Sequence, residues 1–301
     1  MAMKRYIFFL FYLLLVSMAH GQYIHDSLKT DQGYIHYYFK GKGKPVVLLP
    51  GGPGFSSYYL RAIADSLTNY KAILIDFQGT GRSQYREPDS SWVNPDNIIK
   101  DAELLRKHLA IDKWIVMGQS WATHFALLYG IKHPQHTSRI ILLATAGTDN
   151  KFQQYYGDNI KKGMTTADYS EIDSLRKNAN RGRFDIFKVQ FRGYFYDPSK
   201  AASFFEMPEE EKPYFFNGSY FMAFRKDPGY DSFDISKETY SMDIPVRIIQ
   251  GRQDPVNGGT QERLNERLKH SKIFYVERAG HFPWLEQPES FYKYLKECMN
   301  N

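Results

Sequence analysis

Six short apolar runs set the strongest limit on how this chain can fold: PVVLLP (45–50), AILIDF (72–77), WIVMG (114–118), RIILLA (139–144), PVRIIQG (245–251) and KIFYVE (272–277). They are nearly continuous in Val, Ile and Leu rather than alternating, the pattern of strands buried on both faces of a parallel sheet. Such a sheet needs helices on either side, and segments with helix signals lie between the runs. In NPDNIIKDAELLRKHLAI, Asn94 is placed to cap and Pro95 suits the first turn; WATHFALLYGIKHP is closed by Pro134. YIHYYFK (34–40) is expected as an antiparallel edge. The fold class expected is α/β, a mostly parallel central sheet flanked by helices.

The alternation stops near Gly147 and resumes near Ile244. The segment between is polar, helical in pattern and unusually aromatic, with FRGYFY, SFFEM and PYFFNGSYFMAF. So many Phe and Tyr side chains are costly to leave in water. Residues 147–243 are therefore expected as a helical, aromatic-rich cap inserted into a core built from 22–146 and 244–301. With 301 residues, 43% of them hydrophobic, the chain can bury a sizeable core.

Residues 1–21 read as a signal peptide. Lys4 and Arg5 precede the run YIFFLFYLLLV, and Ala19-His20-Gly21 places small residues where a signal peptidase inspects them. Cleavage is expected after Gly21, giving an exported protein, periplasmic or extracellular. The run is shorter than the roughly 20 residues of a spanning helix, so no stable membrane insertion is expected after cleavage. Loss of Lys4 and Arg5 takes the formal charge from +6 to +4. The basic residues are scattered among acids, which argues against nucleic acid as a partner. Cys298 is the single cysteine, so there is no internal disulfide, and the core must carry the stability.

WIVMG runs as a strand into Gly118-Gln119-Ser120-Trp121-Ala122, and a helix follows at once. That strand–turn–helix context is what a nucleophile elbow requires, with small neighbours because strand and helix come close. LLPGGPGFSS (48–57) follows the first buried strand as a glycine-rich turn whose N–H groups can face a crevice and receive a negative oxygen. Pro53 has no N–H, so the donors are assigned to Gly52 and Trp121, with Gly51, Pro53 and Gly54 shaping the loop. A serine hydroxyl needs a base, and the base a group to orient it. IIQGRQDPVNGG puts Asp254 just past a buried strand, and YVERAGHFPWLEQP puts His281 in the loop after the last one. The order Ser120, Asp254, His281 is that of α/β-hydrolases. DFQGTGRS (76–83) follows the second buried strand, where Asp76 and Arg82 are candidates to brace the oxyanion loop. His124, on the helix after the elbow, is expected to pack rather than act as base. No His/Cys/Asp cluster has metal-ligand spacing, and no metal is expected.

Together these residues resemble the α/β-hydrolase family and, within it, the proline iminopeptidase branch. GGPG (51–54) resembles that branch's oxyanion motif, GQSWAT its elbow and DFQGTGRS its D-Q-R-G-x-G-x-S. The resemblance implies a Ser120, Asp254 and His281 triad, no cofactor and a helical cap over the site. It departs at Gln78, where the branch has an arginine that would form a buried ion pair. It departs again at NGSYF (217–221), similar to E-N-H-Y-F, where Asn217 stands in the place of an acid that would meet the substrate's free amine. Tyr220, Phe221 and Glu206 join Asn217 as candidate substrate-binding residues, and Glu209, Glu210 or Glu211 is a further source of charge. The expected activity is serine hydrolysis through an acyl-enzyme. The substrate, a small molecule or short peptide, is a peptide of the proline iminopeptidase kind, with small apolar esters as the alternative. Carbon–carbon bond hydrolysis and a non-catalytic binding role are more remote.

Overall fold

The computed structural model describes residues 22–85, 93–178, 183–227, 230, 232–256 and 259–300; the expected signal peptide, 1–21, lies outside them. Two strands come first, β1 (Ile24–Thr30) and β2 (Gly33–Lys40). The six apolar runs follow as β3 (Lys44–Leu49), β4 (Tyr70–Ile75), β5 (Trp114–Gln119), β6 (Thr137–Leu143), β7 (Val246–Gly251) and β8 (Ser271–Val276). They form one eight-stranded sheet in the order β1-β2-β4-β3-β5-β6-β7-β8. The β1–β2 and β2–β4 pairs are antiparallel, and the remaining pairs are parallel.

One expectation is corrected here. The segment 34–40 is antiparallel, but it is not the edge, because β1 lies outside it. The sequence of β1, IHDSLKT, is exposed or half-buried at every position, so it has no apolar run to betray it.

Residues of alternate parity along each central strand face opposite layers. Leu49, Val116, Leu142 and Ile248 pack with Phe125 and Tyr129 of the helix Ala122–Lys132. Leu48, Met117, Ile141 and Ile249 pack with Phe291 and Leu295 of the helix Pro288–Asn300. Burial on both faces is why these runs are continuous in apolar residues rather than alternating. The helix Pro95–His108 starts as expected, with Asn94 Oδ1 accepting from Asn97 N at 3.0 Å and Pro95 in the first turn.

Between β6 and β7 the chain adds helices at Tyr156–Lys162, Thr166–Lys177, Arg183–Phe191 and Gly218–Phe224, but among the described residues it adds no strand to the sheet. Its aromatic side chains do not close on themselves. Phe191, Phe204 and Phe215 share a cluster with Phe55, Tyr59 and Phe282 of the core, while Phe224, Tyr230 and Phe233 share one with Trp121 and Phe125. Each such ring contributes about 1.5–3 kcal/mol when fully buried, so apolar contact is a large part of what holds the insertion to the core.

Because β3, β5, β7 and β8 run the same way, the loops after them gather at one edge of the sheet. The tightest of these junctions is where β5 enters the helix Ala122–Lys132. A Cβ on Gly118 would lie 2.5 Å from the Ala122 carbonyl oxygen and 3.0 Å from the Ala126 methyl. Ala122 itself is fully buried and its methyl is accommodated, so glycine is needed on the strand side of the junction and not on the helix side. Gly118→Ala is expected to destabilise the protein by about 1–3 kcal/mol through overpacking. A denaturant midpoint equal to that of the parent protein would reject this account.

Candidate active site

Ser120 follows β5 in the left-handed region, φ 54°, an unusual conformation for a residue with a side chain. The turn is held from both sides. Ser120 N donates to Leu143 O at the end of β6 (2.8 Å), and the Ser120 carbonyl accepts from Thr123 N (2.9 Å) and Thr123 Oγ1 (2.5 Å). The turn brings the hydroxyl to His281, whose Nε2 lies 2.6 Å from Ser120 Oγ. His281 Nδ1 is 2.8 Å from Asp254 Oδ2. A carboxylate only accepts, so the proton on this imidazole sits at Nδ1, and Nε2 is left to accept from the serine hydroxyl.

Asp254 is fixed in turn. Its Oδ2 also accepts from Gln250 Nε2 (2.7 Å) and its Oδ1 from Val256 N (2.9 Å), while Gln250 Oε1 accepts from Thr145 N (2.8 Å). Both Asp254 and His281 are buried, at 4% and 2% exposure. The histidine loop is clamped by Glu286, which accepts from Gly280 N (2.6 Å) and, across the inserted segment, from Asp197 N (2.8 Å). Burial raises the carboxyl pKa of Glu286 above its ordinary value. Sequence reasoning missed Gln250 and Glu286. A polar residue at the buried end of a strand, four before the aspartate, was the available signal for the first.

Gly52 and Pro53 line the cavity together with Ser120. The N–H groups of Gly52 and Trp121 donate to no acceptor among the described residues. Asp76 braces the next stretch of chain. Its Oδ1 accepts from Ser57 N and Oγ (2.7 and 2.8 Å) and its Oδ2 from Arg82 N (3.1 Å), and burial raises its pKa. Arg82 therefore takes part through its backbone. Its guanidinium instead lies over the Tyr214 ring (4.2 Å) and 3.6 Å from Glu211, which also meets Arg61 at 3.6 Å.

The cavity around Ser120 has two parts. One, about 50 Å³, is lined by Gly52, Tyr59, Gln119, His281 and a shell of phenylalanines that includes Phe187, Phe216 and Phe221. The other, about 90 Å³, shares Gly52, Ser120, Phe187, Tyr194 and Phe221 and adds Tyr156, Tyr230 and Arg225. Phe221 is thus the expected cap residue that reaches the cavity. Asn217, Tyr220 and Glu206 are corrections, since none of them lines either part. Asn217 Oδ1 caps the helix Gly218–Phe224 by accepting from Ser219 N and Tyr220 N (3.0 and 3.2 Å), and its Nδ2 donates to Gly79 O (2.8 Å). Tyr220 is buried in the core against Phe224, and Glu206 is exposed to solvent. His124 is fully buried and stacked on Phe233, and burial lowers its pKa to about 4.

The family model described as alpha/beta hydrolase fold matches residues 44–288. The chain is 23% identical to a proline iminopeptidase of Heyndrickxia coagulans, across 87% of this chain and 92% of that protein. It is 24% identical to a proline iminopeptidase of Saccharolobus solfataricus, across 91% and 94%. The solved structure of a proline iminopeptidase-related protein from Thermus thermophilus aligns with a TM-score of 0.75 at 20% identity, covering 93% of this chain and 98% of that one, a likeness of fold.

At the turn after β4, Gln78 stands where the branch has arginine. Gln78 Nε2 donates to Thr30 Oγ1, its backbone N donates to Asp101 Oδ2 (3.0 Å), and burial pushes the Asp101 carboxyl from 3.8 up to about 7. The folded protein thus holds this proton to higher pH than the unfolded chain does. The associated stability is fully present below the unfolded value and is lost as pH rises through the folded one. Asp101→Asn keeps an acceptor for Gln78 and cannot ionise. Its melting temperature is expected to fall less than that of the parent between about pH 5 and about pH 8; an identical fall in both proteins would reject the assignment.

Proposed function

The chain belongs to the α/β-hydrolase fold family, and from that premise we propose that it is an exported serine hydrolase working through an acyl-enzyme. The observation that carries this reading is the hydrogen-bonded series Ser120 Oγ, His281, Asp254, with spacings of 2.6 and 2.8 Å. Ser120 Oγ attacks a carbonyl carbon while its proton passes to His281 Nε2, and the Asp254 carboxylate stabilises the imidazolium that forms. The developing oxyanion is received by the Gly52 and Trp121 N–H groups. His281 returns the proton to the leaving group, and water then repeats the sequence in reverse to release the acid. Export rests on the leader-like pattern of residues 1–21, with the mature chain beginning at Gln22.

For the substrate, the names of the relatives support a proline iminopeptidase-like peptidase acting on short peptides. One observation favours a second reading, an esterase acting on small apolar acyl groups: none of the described residues lining either part of the cavity is Asp or Glu. A free ammonium left unpaired in such a pocket costs several kcal/mol, whereas a neutral ester does not.

Steady-state hydrolysis of prolyl- and alanyl-naphthylamides, run beside short-chain nitrophenyl esters, separates the two. Ester turnover without amide turnover would favour the esterase, and Ser120→Ala or His281→Ala is expected to reduce turnover by about 10⁴-fold or more with the fold intact. Serine-dependent amide cleavage that is lost when the substrate amine is acylated would establish the peptidase instead. Full activity in Ser120→Ala would end the serine hydrolase reading.

A further inference from the structure

Gln119, the residue before the elbow serine, has a fixed orientation. Tyr59 OH accepts the Gly51 N–H at 2.5 Å, so its own proton is free to go elsewhere, and it points to Gln119 Oε1 at 2.8 Å. Room for that oxygen exists because residue 51 has no side chain; a Cβ there would lie 2.4 Å from it. The network therefore decides which end of the amide faces Tyr59. The oxygen does, and Nε2 takes the opposite side.

Nε2 is buried and has no acceptor among the described residues, while Gln119 as a whole is 2% exposed and lines the aromatic part of the cavity beside Ser120. A buried amide satisfied at one end and not at the other is unfavourable in a resting protein. The cavity that Gln119 lines also holds Ser120 and His281 in its wall. In the second part of the cavity, Arg225 is the charged side chain among the described lining residues, and it has no carboxylate partner among them. Among the described lining residues neither part presents a carboxylate.

We propose that Gln119 Nε2 is a substrate-binding donor, and that the substrate carries a second hydrogen-bond acceptor close to the scissile carbonyl, as an N-acylated amino-acid ester does, rather than a free ammonium. The proposal rests on Ser120 being the nucleophile. A site built to donate to a substrate oxygen discriminates strongly against the analogue that lacks it, because the donor is then left unpaired. An ammonium, itself a donor, meets no acceptor at Gln119 Nε2.

The test compares nitrophenyl esters of N-acetylalanine, of 2-methylpentanoic acid, which has the same length without the second carbonyl, and of alanine with its amine free. The parent protein is expected to prefer the acetylalanyl over the methylpentanoyl ester in kcat/KM by about tenfold or more. Gln119→Met, which keeps length and removes the donor without adding charge, should bring that ratio close to one. Gln119→Glu, which turns the donor into an acceptor, should shift preference from the acetylated toward the free-amine alanyl ester. A purely structural role would lower all three rates together and leave the ratios unchanged, which overturns the proposal, as would a parent protein with no preference. If Gln119→Met does not fold, Tyr59→Phe serves: it removes the proton that orients the amide, and a reduced acetylalanyl preference is expected, an unchanged one being contrary. Fluorophosphonate labelling of Ser120 is measured alongside. A parent protein that is not labelled defeats the serine hydrolase reading and this one with it, whereas labelling with ratios that ignore Gln119 defeats this one alone.

Discussion

The left-handed turn at Ser120 is the constraint on which the rest of the site depends. At φ 54° the serine leaves the line of β5, and the chain enters the helix Ala122–Lys132 within one residue. That conformation costs of order 1–3 kcal/mol for a residue with a side chain, and it persists because its surroundings hold it. Leu143 O at the end of β6 fixes the serine N–H, and Thr123 fixes its carbonyl from the helix side. The close approach also dictates the neighbours: Gly118 has no space for a methyl, while Ala122 sits in a position that has it.

The inserted segment is better understood as a wall of the site than as a separate lid. Its attachment combines apolar contact with backbone hydrogen bonds placed next to the chemistry. Phe215 O accepts from Ser56 N, Asn217 N donates to Gly54 O and Tyr194 O accepts from His281 N, at 2.9, 2.9 and 2.8 Å. These bonds tie the glycine-rich loop after β3 and the His281 loop to the same insertion. The aromatic clusters then continue without a break from Phe55, Tyr59 and Phe282 into Phe191, Phe204 and Phe215. A substrate is therefore enclosed by rings from both segments, in a space of low polarity where each remaining polar group counts for more.

Those remaining polar groups include no carboxylate among the described lining residues. Asn217, in the place of the branch's acid, is consumed by helix capping and by Gly79, and the nearby Glu211 is paired with Arg61 and Arg82. The polar side chains lining the cavity include Gln119, Gln153, Arg225 and His281 with several tyrosines. The shared fold thus coexists with a cavity lining that has no carboxylate among the described residues, a separation expected when scaffold and recognition sit on different segments.

Much of this was legible in the order of residues. The six apolar runs identified six strands, five of them largely buried because burial on both faces leaves no room for polar alternation and the sixth, β8, half-buried at the sheet's outer edge; Ser120, Asp254 and His281 each lie just past the end of one of these strands. β1 escaped because an exposed strand has no apolar signature, its pairing with β2 being a matter of backbone hydrogen bonds. Asn217, Tyr220 and Glu206 were misplaced because a motif records spacing but not which way a side chain points, and direction is set by what the helix packs against. Gln250, Glu286 and Gln119 act through partners 105, 6 and 60 residues away in sequence. The sequence by itself determined the strands of the sheet, the turn at Ser120 and the placement of Asp254 and His281 after strands, since those follow from local periodicity and turn chemistry. Only the tertiary structure decided what surrounds the reacting groups and with what polarity, because hydrogen-bond partners and pocket walls are made by segments that meet only when the chain is folded.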